Sequence, residues 1–190
     1  MKLLLIVDVI KGFLEKGNMS FTDGIDVVSP IEELVKEFIK NDDMIVTFRD
    51  EHQQDSLEFK SYPVHCVKGS EEVDLVDQLS PYSDHYIDIP KNSTNGVNTK
   101  EFQKILLENK FSEVVVVGVC SDICVLQSVL SLVTQFYQND IDTKVTVVKD
   151  AVETFDNEDH SRDYYNELSF NLMKNASANV VETYKQLINK

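Results

Sequence analysis

Short runs of β-branched and other apolar residues alternate along the chain with segments whose apolar positions recur at helical spacing. This order is the signature of βαβ units and predicts a parallel sheet. Six strands are expected, over Lys2 to Val7, Met44 to Phe48, Tyr86 to Ile89, Glu113 to Val117, Thr143 to Val148 and a short Asn179 to Val181. Most of these runs are continuously apolar rather than alternating, so helices should cover both faces of the sheet.

The first helix is expected to start with Ser29 as its cap, Pro30 at the first helical position and Glu32 completing a capping box. Its apolar stripe is Ile31, Leu34, Val35, Phe38 and Ile39. Asn98 with Glu101 predicts the start of a second helix carrying Phe102, Ile105 and Leu106, and a third spans about Asp122 to Tyr137. Val125, Leu126, Val129, Leu130, Leu132, Val133 and Phe136 make that third helix apolar on several sides. It should be the most buried helix of the fold or face a subunit partner. Tyr164 to Met173 and Thr183 to Asn189 predict two weaker C-terminal helices. The expected architecture is a doubly wound α/β fold: a six-stranded, mainly parallel sheet with helices on both faces, in a single domain over residues 1–190. Asp50 to Pro81 shows no period and is too long for an ordinary connection, so it is expected to carry function.

Thirty-three acidic residues against eighteen basic ones give a formal net charge of -15, which repels nucleic-acid phosphates and anionic lipid headgroups alike. No nucleic-acid or membrane partner is expected. The first apolar run is cut by Asp8 and is too short to span a bilayer or serve as a signal sequence, so a cytoplasmic protein is expected. Cys66, Cys120 and Cys124 are an odd number and too few for a disulfide framework, so reduced thiols are expected.

In an open parallel sheet, ligands sit beyond the carboxyl ends of the strands. Three reactive groups follow apolar runs: Asp8 after the first, Lys91 after the third, and Cys124 in the loop from Gly118 that leads into the third helix. A cysteine near a helix start meets unpaired N–H groups and a dipole that favour the thiolate, and a nearby lysine adds to this. An aspartate within reach can take the thiol proton and later hand it to a leaving amine. Amides at the Cys124 turn can hold the oxyanion of a tetrahedral intermediate. Cys66 and Cys120 read as small packing residues by type.

With these residues in place, the sequence resembles the isochorismatase-like cysteine hydrolases, and among them the nicotinamidase and pyrazinamidase branch, over essentially its whole length. The matching phrases are Leu5-Ile6-Val7-Asp8-Val9-Ile10-Lys11-Gly12-Phe13, Pro90-Lys91, and Val116-Val117-Gly118-Val119-Cys120-Ser121-Asp122-Ile123-Cys124-Val125. The resemblance implies Asp8 as base, Lys91 as electrostatic support and Cys124 as nucleophile, with a thioester resolved by water. It also implies a cis bond between Val119 and Cys120 and an oxyanion hole made by the amides of Cys120 and Cys124. Phe13 is implied to pack on the substrate ring, with Val119 and Cys120 also at the substrate.

Arg49-Asp50-Glu51-His52 and Tyr62-Pro63-Val64-His65-Cys66 resemble the metal motifs of the nicotinamidases. The implied ligands are Asp50, His52 and His65, with Glu58 as a fourth, direct or through water. Such a set suits one divalent ion, with Zn²⁺ the leading candidate and Mn²⁺ or Fe²⁺ the alternatives. Two segments depart from the family pattern: Gln53-Gln54-Asp55-Ser56 after the first metal histidine and Asn92-Ser93-Thr94-Asn95-Gly96-Val97 after the lysine. Both can line the substrate pocket.

The expected function is hydrolysis of nicotinamide to nicotinate and ammonia, with pyrazinamide also accepted and a homo-oligomer as the working state. The alternative is a related amidohydrolase acting on a carbamoyl, ureido or other small amide. Isochorismatases proper cleave a vinyl ether and need no cysteine at the nucleophile turn, so Cys124 speaks against that activity. A catalytically dead interaction module should show a broken triad, and a redox pair should show C-x-x-C rather than C-x-x-x-C. Neither mark is present.

Overall fold

A computed structural model describes residues 1–188. The six strands are β1 (Lys2–Val7), β2 (Met44–Asp50), β3 (Tyr86–Lys91), β4 (Glu113–Val119), β5 (Lys144–Glu153) and β6 (Asn179–Val181). They form one sheet in the order β3-β2-β1-β4-β5-β6, with every pair parallel. Strand order reverses between β1 and β4, and that switch point is where an open α/β sheet leaves a crevice at its carboxyl edge.

The continuous apolar runs are explained by burial on both sides. Leu3, Leu5 and Val7 of β1 share one face with Val46, Phe48, Val114 and Val116, under α3 (Lys100–Glu108), α4 (Leu126–Gln138) and α5 (Arg162–Asn175). Leu4 and Ile6 share the other with Ile45, Val115 and Val117, where α1 (Lys11–Leu14), α2 (Val28–Lys40) and α6 (Lys185–Ile188) pack. The fold class is the one expected. β3 lies at the edge of the sheet, which is why its ladder tolerates Pro90.

The element ends differ from the sequence expectations in instructive ways. Strands β2, β3 and β4 run on past their apolar runs to Asp50, Lys91 and Val119, because these residues continue the ladder while carrying polar or crowded positions. Ser29 does not cap α2. A 3-10 segment over Thr22–Val27 leads straight into the helix, so its first amides already have carbonyl partners. Glu32 instead accepts hydrogen bonds from Gln78 at 2.6 Å and Tyr82 at 2.7 Å. Thr99 rather than Asn98 caps α3, accepting from the Phe102 amide. The third predicted helix divides into a π-helical turn over Ser121–Val125 and α4, whose Val129, Leu132, Val133 and Phe136 are buried while Leu126 and Leu130 are half-buried. Of the last predicted helix, Asn189 lies outside the described residues.

The stretch after β2 is held by short 3-10 turns at Leu57–Lys60, Glu71–Val73 and Ser80–His85, and by a bridge between His52 and Val67. Among the described residues, no helix is long and apolar enough to cross a membrane.

Candidate active site

Asp8 follows β1 directly in a left-handed conformation, with φ of 55°. Its amide donates to the Phe48 carbonyl at 2.9 Å, and the Asp50 amide donates to its Oδ1 at 2.9 Å. Both side chains are thereby tied to the ends of neighbouring strands. Asp50 and Lys91 are register partners on β2 and β3, which sets their side chains together. The Lys91 ammonium contacts Asp50 Oδ1, reaches Asp8 Oδ2 at 2.8 Å and lies 3.9 Å from Cys124 Sγ. The three residues singled out at strand ends therefore meet, with Asp50 between them.

The approach of Cys124 depends on Gly118. That residue has φ of 116°, and a Cβ there would lie 2.0 Å from the Val7 carbonyl oxygen, so only glycine lets β4 enter its final turn this close to β1. The Val119–Cys120 peptide bond is cis. The π-helical turn follows, with the amides of Ile123 and Val125 both donating to the Cys120 carbonyl, at 3.2 and 3.1 Å. Ser128 Oγ donates to the Cys124 carbonyl at 2.7 Å and anchors the turn to α4.

Asp8, Asp50, Lys91 and Cys124 are all buried. Burial pushes the Asp8 carboxyl up to about 7 against the pull of Lys91, with the Asp50 charge adding to the rise. Burial acts on Asp50 in the same sense, but the Lys91 charge works against it, and this carboxyl lies well below its ordinary value. Lys91 stays charged: burial opposes the ammonium, and Asp50, Asp8 and Cys124 more than offset that. Burial raises the Cys124 thiol well above its ordinary value, with Lys91 acting against the rise and the two aspartates adding to it. Lys91 and the helix start favour the thiolate and burial opposes it, beside an aspartate whose carboxyl is raised by burial.

Asp50, His52 and His65 offer ligand atoms within 4.8 Å of one another. The Nε2 atoms of His52 and His65 stand 3.5 and 3.4 Å from Asp50 Oδ2. Each Nδ1 faces an oxygen that only accepts, the Asn92 amide oxygen at 3.1 Å and the Pro63 carbonyl at 2.7 Å. Nδ1 is then the donor on both rings, and both Nε2 lone pairs are left toward a carboxylate. His52 Nε2 is buried without a hydrogen-bond partner, and so is Glu58 Oε1. Burial and the Asp50 charge raise the Glu58 carboxyl. Acceptors facing one another with no donor between them fit a cation.

Asp50, Glu58, His65 and Cys124 border one small cavity. Phe13, Met19, Tyr62 and Ile123 supply apolar wall, and Asp50, Glu58, His65, Thr94, Cys120 and Cys124 the polar and thiol groups. Phe13 lines the cavity, its ring 5.8 Å from that of His65. Val119 does not line the cavity: it is fully buried among the β-sheet core residues. Cys120 does line it, whereas Cys66 is a packing residue fully buried in the core. Of the two departing segments, Thr94 reaches the cavity and Asn92 orients His52, while Gln53, Gln54 and Asp55 line an outer hollow with Val67 and Lys68. Ser56 turns inward, to Asn92 at 3.2 Å. Met19 was not singled out in the sequence, while Asn92, Thr94, Tyr62 and Ile123 entered only as members of longer segments.

An Isochorismatase domain model matches residues 2–183. Nicotinamidase 1 of Arabidopsis thaliana is 35% identical over 141 residues, which is 66% of this chain, and the chain spans 57% of that protein's length. A cysteine hydrolase from Pseudomonas syringae pv. phaseolicola has the same fold, with a TM-score of 0.87, 19% identity and coverage of 99% of this chain and 91% of that one. A pyrazinamidase of Pyrococcus horikoshii in complex with zinc aligns with a TM-score of 0.75 and 22% identity, over 95% of this chain and 98% of that one. With the domain match running from the first strand to beyond the last, the chain belongs to the isochorismatase family.

Proposed function

We propose that the protein is a cysteine amidohydrolase that converts nicotinamide to nicotinate and ammonia, a salvage step toward NAD. The observation that carries this reading is the double engagement of Asp50, which touches Lys91 of the triad with one oxygen and faces two histidines with the other. A thiol nucleophile and a cation site are thereby coupled across one small cavity. The Arabidopsis nicotinamidase and the zinc-bound pyrazinamidase support the same substrate class.

In this mechanism Asp8 takes the Cys124 proton as sulfur attacks the carboxamide carbon. The amides of Cys120 and Cys124 receive the oxyanion. As the C–N bond breaks, Asp8 returns the proton to the departing nitrogen, so ammonia leaves neutral. Water then attacks the thioester, giving its proton to Asp8, and nicotinate departs as the thiol reforms. Lys91 keeps its charge throughout and stabilises whichever of Asp8 or Cys124 is anionic. A divalent ion held by Asp50, His52 and His65, with Glu58 direct or through water, would supply a Lewis-acid site for a ring nitrogen.

A carbamoyl or ureido amide is the second reading, favoured by the polar Thr94 on the cavity wall. Ammonia release from nicotinamide, pyrazinamide, benzamide and a carbamoyl amide, with and without a chelator, separates the two. Nicotinamide should be the best substrate and should lose most to chelation. Preference for the carbamoyl amide, unaffected by the chelator, would replace the first reading by the second.

A further inference from the structure

Asp122 sits in the middle of the turn that carries Cys124, yet unlike Cys120, Ile123 and Cys124 it does not line the cavity. Its carboxylate accepts from Thr154 Oγ1 at 2.6 Å, and its other oxygen lies 2.9 Å from His160 Nε2. Thr154 comes from the adjacent strand end: Val119 and Glu153 are register partners, so the residues that follow them emerge side by side. His160 comes from the loop between β5 and α5.

The His160 ring is fixed to a degree that a surface ion pair does not require. It is stacked between Phe155, at 3.8 Å and 15°, and Tyr165, at 3.7 Å and 12°. Its Nδ1 faces the Phe155 carbonyl at 3.1 Å. A carbonyl and a carboxylate only accept, so each ring nitrogen faces an oxygen to which an N–H can donate. Its two flat faces and both nitrogens are therefore engaged, and Nε2 has one direction in which to point.

The turn it points at is π-helical, closed by the Leu126 amide on the carbonyls of Ser121 and Ile123. Two amides share the Cys120 carbonyl, and π-helical turns of this kind are rare and concentrate at functional sites. A displacement of about 1 Å in a reacting group costs on the order of 10²-fold in rate.

We propose that His160 is a positioning residue, acting through Asp122 to hold the turn of Cys120 and Cys124 in place against Lys91 and Asp8. This rests on the reading of Cys124 as an amidohydrolase nucleophile. His160→Phe keeps a flat ring between Phe155 and Tyr165 and removes both donors, whereas His160→Gln keeps a donor toward Asp122. With nicotinamide as substrate, His160→Phe should lower kcat about 10- to 100-fold and leave KM within about twofold. His160→Gln should recover most of that loss. In an Asp122→Ala background the His160→Phe loss should vanish, since the contact it removes is already gone.

A second readout needs no turnover. Alkylation of Cys124 by iodoacetamide, located by fragment mass spectrometry, should slow about tenfold in His160→Phe. Unchanged kcat, a rise in KM alone, equal losses in the Phe and Gln variants, or losses that multiply with Asp122→Ala would each overturn the proposal. If the wild-type protein released no ammonia from any amide, the functional reading would fall. The alkylation rates would still decide this one, slowing in its favour and equality against it. Should His160→Phe not fold, His160→Asn, whose amide is too short to reach Asp122, takes its place: kcat below that of His160→Gln supports the proposal, and equal kcat overturns it.

Discussion

At the amino edge of the sheet Glu113 meets Lys2 at 3.2 Å and Lys144 at 3.0 Å and accepts from Thr146 at 2.6 Å; at the carboxyl edge Lys91 meets Asp8 and Asp50. The residue types are alike and the strands partly the same, but the environments differ. The side chains of Lys2 and Lys144 are 40% and 48% exposed, so their charges remain hydrated and Glu113 has every need met. Lys91 is fully buried between two carboxylates, beside a thiol and a histidine nitrogen without a partner. A surface cluster contributes modest stability and no chemistry. The buried one depends on Lys91, because removing that ammonium leaves two carboxylates buried without a counter-charge. It also holds its proton affinities away from their ordinary values, as a site for proton transfer needs.

The sharpest way to break this contrast is at the carboxyl edge. Cys124→Ala should reduce ammonia release by at least about 10⁴-fold with the fold intact, whereas Cys120→Ala should be far milder. Substantial activity in Cys124→Ala would remove the nucleophile from the account. Asp8→Asn and Lys91→Met should each cut kcat by about 10²- to 10⁴-fold, and the double variant should lose much less than the product of the two. Multiplying losses would show that the cluster does not act as a unit.

A smaller effect is expected one step out. His52→Ala, or chelation, should lower kcat/KM for nicotinamide and pyrazinamide about 10- to 100-fold, while benzamide, lacking the ring nitrogen, stays poor in either state. Benzamide turned over as well as nicotinamide by the metal-loaded protein would remove the orienting role of the cation site. At the amino edge Glu113→Gln should leave kcat unchanged and cost about 1 kcal/mol, read from denaturant midpoints. Burial works to raise the Glu113 carboxyl, but Thr146, Lys144 and Lys2 bring it below its ordinary value. A carboxyl lowered on folding adds stability that is fully present above the unfolded value near about 4.3 and lost as pH falls through the folded value. The gap between wild type and variant should therefore close on acidification.

The same contrast explains what the sequence made legible. Strands β1, β2, β4 and β5 are continuous apolar runs, and nothing else in the chain competes with that reading. The carboxyl ends of β2 and β3 were placed short because Asp50 and Lys91 are polar, although both still pair in the ladder. Asp8, Lys91 and Cys124 stood out because each follows such a run. Met19, Tyr62 and Thr94 did not, since they reach the cavity from irregular loops whose paths depend on tertiary contacts such as that from Asn18 to the Val64 carbonyl. Val119 was assigned to the substrate by resemblance, but its position in a fully buried strand end gives it to the core. His160 gave no signal at all: a lone histidine in an acidic loop is ordinary until Phe155, Tyr165 and Asp122 are seen around it.

The central claim is that amide hydrolysis passes through a thioester on Cys124, and the intact mass of enzyme quenched in acid during turnover of nicotinamide tests it most directly. A fraction of the wild-type chain should carry one nicotinoyl group, located on Cys124 by fragmentation and absent from Cys124→Ala. Ammonia release from an enzyme that shows the same adduct without Cys124, or one that places the acyl group on another residue, would contradict the account.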